Sequence, residues 1–381
     1  MPSASLNNPP ILMIRCGSFD NCGWEELYPA IKQQKDDDQL ILVLVTSDGQ
    51  TLRQPVPGAN RAKMAEIVKR FQQVISGNLA SPARKQQLGQ ELYQIFIDPI
   101  KSTLESRSVN NLVFVMDEGL RAIPMAALHD GNDYIIHDYS MGFMPSMSLA
   151  DTSYESIQDA GLLAMGAQTF TDQSALPSVP LELATIQELW DGEKYIDEAF
   201  TPEQLKQSRQ NNPAKIVHLA THGEFIPGNR DRSYIQFWGD TKVGLDQLEQ
   251  LQLDQDPSVS LLVLSACRTA LGDPSAELGF TGLAVASGVK TAMGGLWYIS
   301  DIGTYALMVS FYENLKTAPI KAEALRLAQL SLLQGTVYVK DGKLITPQQT
   351  IPLPSAFAAV TDFDLSDPYY WSGITMIGSP W

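Results

Sequence analysis

Cysteine, histidine and long apolar runs are all scarce in this 381-residue chain. Its three cysteines, Cys16, Cys22 and Cys267, are too few for a disulfide framework, and an odd count leaves one free. No run of eighteen apolar residues occurs, which argues against a membrane-spanning helix. The opening MPSASLNNPPILMIR has neither a basic start nor a long apolar stretch before a small-residue cleavage site, so it does not read as a secretory signal. A reducing, cytoplasmic setting is the expectation. Basic residues number 27 against 43 acidic, a net charge of −16. Such a surface repels phosphate backbones and anionic lipid, so neither nucleic acid nor a membrane is the expected partner. Basic peptide segments would be drawn to it, although the same charge also serves plain solubility. No repeat with a period of about 20 to 50 residues is visible, so the chain is not itself a solenoid.

What is present is an alternation of short apolar runs and helical periodicity. In the first part, 11–15, 40–45 and 112–116 read as strands, 61–76 and 84–104 as helices (the second broken or kinked at Pro99), and 134–144 as a hairpin. A polar stretch at 151–159 suggests a boundary, giving an N-terminal α/β unit at 1–155 and a second unit at 156–381. In the second, strands are expected at 161–165, 194–196, 215–220, 261–265, 291–297 and 373–377. Helices are expected at 181–190, 202–210, 245–251, 280–287, 303–315 and 321–333, with a loop at 224–240. Strands separated by helices imply a three-layer α/β sandwich with a mostly parallel sheet, whose functional residues gather at the carboxyl ends of the strands.

Two strand ends carry reactive groups. One reads Ile216-Val217-His218-Leu219-Ala220-Thr221-His222-Gly223, the other Leu261-Leu262-Val263-Leu264-Ser265-Ala266-Cys267-Arg268-Thr269. Each apolar run stops at a side chain suited to chemistry, and both would emerge on one rim of the sheet. A thiol with a pKa near 8.5 needs a neighbouring imidazole to become a competent nucleophile at neutral pH. Cys267 is therefore the candidate nucleophile and His222 its base, with the backbone N–H groups of Cys267 and Gly223 as a candidate oxyanion hole. Taken alone, a cysteine after an apolar strand is usually a small buried hydrophobe. Caspases place the histidine about 50 residues before the cysteine, close to the separation here, although only A-C-R of their local cysteine signature is present. His218 reads as a packed or hydrogen-bonded core residue, and His129 and His137 carry no assigned role. Three or four ligands for zinc are not apparent around His218, His222 and Cys267.

At this point the chain resembles the CHAT domain family, caspase-like cysteine peptidases related to separases. The resemblance rests on VFVMDEGLRAIPMAAL, VHLATHGEF, LLVLSACRTALGD, ELGFTGLAVASGVKTAMGGLWYISD and PYYWSGITMIG, which occur in the family's order between residues 110 and 377. It implies that His222 and Cys267 form the dyad. It also implies that the first half is a degenerate caspase-like unit supporting an active second half. The segment Met116-Asp117-Glu118-Gly119 departs from the family's usual turn. Helical repeats usually precede the peptidase region in this family, whereas here a strand comes almost at once. The chain is then either a stand-alone peptidase or one served by a separate repeat-containing sensor or regulatory chain.

The expected activity is endopeptidase cleavage of protein substrates through a thioester, in a regulatory or defence-type pathway, with no cofactor and no metal. Asp301, after the strand at 291–297, is a candidate for selecting a basic residue before the scissile bond, and equally for capping the helix that follows. Asp172, after the strand at 161–165, is a second substrate-binding candidate. The basic stretch Asn229-Arg230-Asp231-Arg232 reads as a solvated loop, with self-cleavage after Arg230 or Arg232 as the alternative. A catalytically silent caspase-like scaffold that binds protein partners is the competing reading of the whole chain.

Overall fold

The computed structural model describes residues 11–16, 35–117, 119–145, 153–224, 232–265, 279–298 and 300–381. In chain order the first part contributes five strands: β1 (Ile11–Cys16), β2 (Gln39–Val45), β3 (Thr51–Asn60), β4 (Asn111–Met116) and β5 (Ser140–Phe143). The second part supplies β6 (Leu162–Gly166), β7 (Gly192–Ile196), β8 (Ile216–Ala220), β9 (Gly223–Glu224), β10 (Tyr234–Gln236), β11 (Lys242–Gly244), β12 (Leu261–Ser265) and β13 (Thr291–Gly295). After these come β14 (Tyr338–Lys340), β15 (Lys343–Ile345), β16 (Thr350–Pro352) and β17 (Ile374–Gly378).

Eleven of these strands form one sheet, ordered β3-β2-β1-β4-β5-β17-β13-β12-β8-β6-β7. The two expected units are thus halves of one sheet, joined where β17 pairs in parallel with β5 at Ile377 and Phe143. Because β17 is antiparallel to β13, β4 and β5 run opposite to β13, β12, β8, β6 and β7. The carboxyl ends of the second half's strands therefore share one edge, and the carboxyl end of β4 lies at the other.

Burial explains the apolar strand sequences. Every residue of β6, β8, β12 and β13 is buried, as expected for parallel strands covered on both faces. Among the covering helices, Val179–Leu189 and Asp301–Leu315 pack beside each other, and Asp301–Leu315 packs against Lys321–Leu333. The break expected at Pro99 is real: the helix Pro82–Phe96 gives way to a 3₁₀ turn at Asp98–Ile100, then to the short helix Lys101–Ser106.

Two expectations are corrected. The hairpin at 134–144 does not form: Ile135–His137 is a 3₁₀ turn, and β5 pairs in parallel with β4 and β17. The alternation read there does not distinguish a hairpin strand from one paired in parallel on both sides. The loop expected over 224–240 contains β9 and β10, which build a three-stranded sheet with β11. Strands of two or three residues are too short to leave a periodic signal. No helix among the described residues is long and apolar enough to cross a membrane.

Candidate functional site

The register of the central strands organises the site. In the parallel pair β8–β12, Leu261 lies beside Ile216 and Ser265 beside Ala220, so the two strands end level. His222 follows Ala220 by two residues, as Cys267 follows Ser265 in the sequence. Cys267 itself, and the N–H proposed for its half of an oxyanion hole, lie outside the described residues. So do Cys22, Asn229, Arg230 and Asp231, while Arg232 is exposed.

His222 is 94% buried, with 6% of its surface exposed, and is held on two sides by the segment that follows β6. Its Nε2 lies 2.7 Å from the carbonyl oxygen of Ser174. A carbonyl only accepts, so Nε2 carries a hydrogen in this contact and Nδ1 is left for proton transfer in the neutral ring. The ring also meets Phe170 edge-on, with centroids 4.6 Å apart. Its backbone carbonyl accepts the Gln236 N–H at 2.9 Å, and the hydroxyl of Thr221 donates to the Gln236 carbonyl.

Gly223 pairs with Ile235 across β9 and β10. Since Gln236 donates to the residue before Gly223, Gly223 and Ile235 are a non-hydrogen-bonded pair in the antiparallel alternation. The Gly223 N–H accordingly faces away from β10.

His218 does not share the His222 environment. It is fully buried within β8, with Nε2 2.9 Å from Glu182 Oε1 and Nδ1 3.2 Å from the Tyr312 hydroxyl. These partners come from the two helices over that face, so His218 is a hydrogen-bonded core residue. His129 accepts the Gly131 N–H through Nδ1 at 3.0 Å.

Beside the strand ends lies a cleft lined in part by Thr221, Ser265, Trp297, Asp301, Glu182 and Ile374. Asp301 reaches it from the first turn of the helix Asp301–Leu315, whose N-cap is Ser300: the Ser300 hydroxyl accepts the Gly303 N–H at 3.2 Å. The capping expectation for Asp301 is thus corrected, because the helix starts earlier than its apolar periodicity indicated. Instead Asp301 accepts the Ser178 N–H at 3.0 Å and the Ser178 hydroxyl. Burial pushes its carboxyl above the usual carboxylate range, against the pull of these two hydrogen bonds, and the nearby Glu182 raises it further. Asp172 is not among the cleft-lining residues. Its Oδ1 accepts from Gln236 Nε2 and its Oδ2 from Lys242 Nζ, each at 2.7 Å.

Ser174, Phe170, Gln236 and Glu182 escaped the reading of the sequence. A backbone carbonyl has no residue signature. The one available pointer was position, since residues 167–178 follow the carboxyl end of β6.

Comparison with known proteins agrees with this architecture. No curated protein matches the chain. Among solved structures, the separase–securin complex of Saccharomyces cerevisiae aligns with a TM-score of 0.55 at 10% identity, covering 99% of this chain and 30% of that chain. The chain thus spans less than a third of that relative's length. The Arg-specific cysteine proteinase gingipain R aligns with a TM-score of 0.44 at 9% identity, over 84% of this chain and 74% of that one. The separase likeness shows the caspase-like fold. A family model described as the CHAT domain matches residues 86–379, most of the chain, and the protein therefore belongs to the CHAT domain family.

Proposed function

We propose that this protein is a cysteine endopeptidase in which His222 activates Cys267. The supporting observation is the level ending of β8 and β12, with Ala220 opposite Ser265 and each reactive residue two positions further on. The Sγ of Cys267 loses its proton to Nδ1 of His222 and attacks the substrate carbonyl carbon. The tetrahedral oxyanion is received by the N–H groups of Gly223 and Cys267. Collapse expels the amine, which takes the proton from His222, and leaves a thioester. Water, deprotonated by His222, then attacks the thioester and releases the acid and the thiol. The reaction needs neither cofactor nor metal.

The cleft beside Ser265 is the candidate pocket for the residue preceding the scissile bond. Asp301 offers a carboxylate there, whose oxygens accept hydrogen bonds only from Ser178 among the described residues. That favours Arg or Lys by charge-assisted hydrogen bonds. It is also consistent with the net charge of −16, which favours basic segments. The substrates are proteins in a regulatory or defence-type pathway within the cytoplasm.

Peptides identical except for Arg, Lys, Leu or Asp before the scissile bond test this reading. Turnover of the Arg and Lys peptides by the wild type, abolished by Cys267→Ala, is expected. Turnover of the Asp peptide alone would remove the basic preference. Absence of cleavage together with protein capture unchanged by Cys267→Ala would instead establish a silent scaffold.

A further inference from the structure

The carbonyl that meets His222 sits on a stretch without regular secondary structure, so something else must fix it. Residues 168–176 close on themselves, the Leu176 N–H donating to the Gln168 carbonyl at 2.9 Å. Asp197 Oδ1 accepts the Gln168 N–H at 2.8 Å, which fixes one end of the loop. Its tip is gripped by the small sheet. Asp172 takes Gln236 Nε2 and Lys242 Nζ, one on each oxygen, and Gln173 Nε2 donates to the Tyr234 hydroxyl at 3.2 Å. Lys242 lies 4.4 Å over the Tyr234 ring, so its ammonium is held from two sides. Gln236 is the junction: its backbone N–H holds the His222 carbonyl, while its side chain holds Asp172.

We propose that Asp172, acting through Gln236 and Lys242, is a positioning residue that fixes the Ser174 carbonyl and so orients His222 toward Cys267. The proposal rests on the dyad reading above. A bland alternative exists, since the side chains of Asp172 and Lys242 are 42% and 35% exposed, and such pairs commonly contribute little to stability. The two readings differ in what they touch. A solvated ion pair has no connection to a buried imidazole, whereas here the Gln236 arm runs from Asp172 to the backbone of His222, and Lys242 holds the second oxygen of the same carboxylate. Misplacing a catalytic group by about 1 Å costs on the order of 100-fold in rate. The effect of losing Asp172 therefore belongs in kinetics, with stability almost unmoved.

The test uses the full chain and an Arg-terminated peptidyl acyloxymethyl ketone, with kinact and KI measured at Cys267 by mass spectrometry. Asp172→Ala and Lys242→Ala are expected to lower kinact by about 10- to 100-fold with KI and melting temperature unchanged, and Lys242→Arg to stay near wild type. Wild-type kinact in Asp172→Ala, or a fall in kinact matched by a fall in melting temperature, would overturn the positioning role. The dyad is judged separately by His222→Ala. If the wild type labels Cys267 no faster than that variant does, the dyad reading fails and the proposal goes with it.

Discussion

At the scale of single residues, a half-buried carboxyl beside the cleft and a fully buried imidazole within β8 have opposite uses. Asp301 faces the cleft, and losing its charge-assisted hydrogen bond should cost about 1.5–3 kcal/mol of binding to a basic side chain. Asp301→Asn is accordingly expected to lower kcat/KM for an Arg peptide by about 10- to 100-fold while sparing a Leu peptide, as steady-state assays would show. Because burial raises its titration, the carboxyl becomes neutral at a higher pH than an exposed one. KM for the Arg peptide should rise as pH falls through that titration, whereas KM for the Leu peptide should not. The sign for stability is opposite to that of a paired surface carboxylate. A raised folded-state titration opposes folding as the group ionises, so Asp301 costs stability as pH rises. His218 works in the core instead, bridging Glu182 and Tyr312. His218→Ala leaves Glu182 buried with one partner fewer and is expected to lower the unfolding free energy by about 2–3 kcal/mol, measured by urea titration.

At the scale of elements, close approach between strands sets the edge on which His222 lies. A Cβ at Gly166 would fall 2.4 Å from the Ala220 carbonyl oxygen and 2.9 Å from Val179 Cγ1. Backbone cannot yield there cheaply, so Gly166→Ala should destabilise the protein by about 1–3 kcal/mol and slow labelling of Cys267. An unchanged melting temperature would refute this. Most of these elements were legible in the sequence because their physics is local. The strand Leu261–Ser265 and the helix Lys321–Leu333 match their apolar runs residue for residue. The strand Thr51–Asn60 was not legible, since Pro55, Pro57 and Gly58 argue against a strand. It forms because it lies at the edge of the sheet, beside β2 alone, where prolines are tolerated. The three-stranded sheet at Tyr338–Pro352 was missed for a different reason: each of its strands has only three residues. Residues of the candidate site divided in the same way. His222 announced itself by ending an apolar run, but the Ser174 carbonyl, 48 positions away in sequence, is found only through tertiary contact.

At the scale of the whole molecule, the two halves share one sheet and several side-chain contacts. Beyond the β5–β17 pairing, buried Lys85 pairs with Asp367, and Arg326 Nη1 donates to the Ile136 carbonyl at 2.9 Å. Expressed alone, residues 156–381 should lack a cooperative unfolding transition by circular dichroism; a cooperative fold that still labels at Cys267 would contradict this. Glu155 joins the halves' connection to the main sheet, its carboxylate meeting Lys215, Lys290 and Ser260. The lysine hydrogen bonds lower its pKa to about 2 from the ordinary 4.5. Its contribution to stability is therefore complete above about pH 4.5 and is lost as pH falls toward 2. Glu155→Gln should cost less than about 1 kcal/mol at pH 7, given its partial exposure, and nothing near pH 2. The proposed function turns on one event, the transfer of a proton from sulfur to imidazole. The most direct measurement compares labelling of Cys267 with that of Cys16 and Cys22 by an Arg-terminated peptidyl probe, in wild type and His222→Ala. Rapid, selective modification of Cys267 that disappears without the imidazole is expected. Slow modification of all three thiols, indifferent to His222, would contradict the dyad.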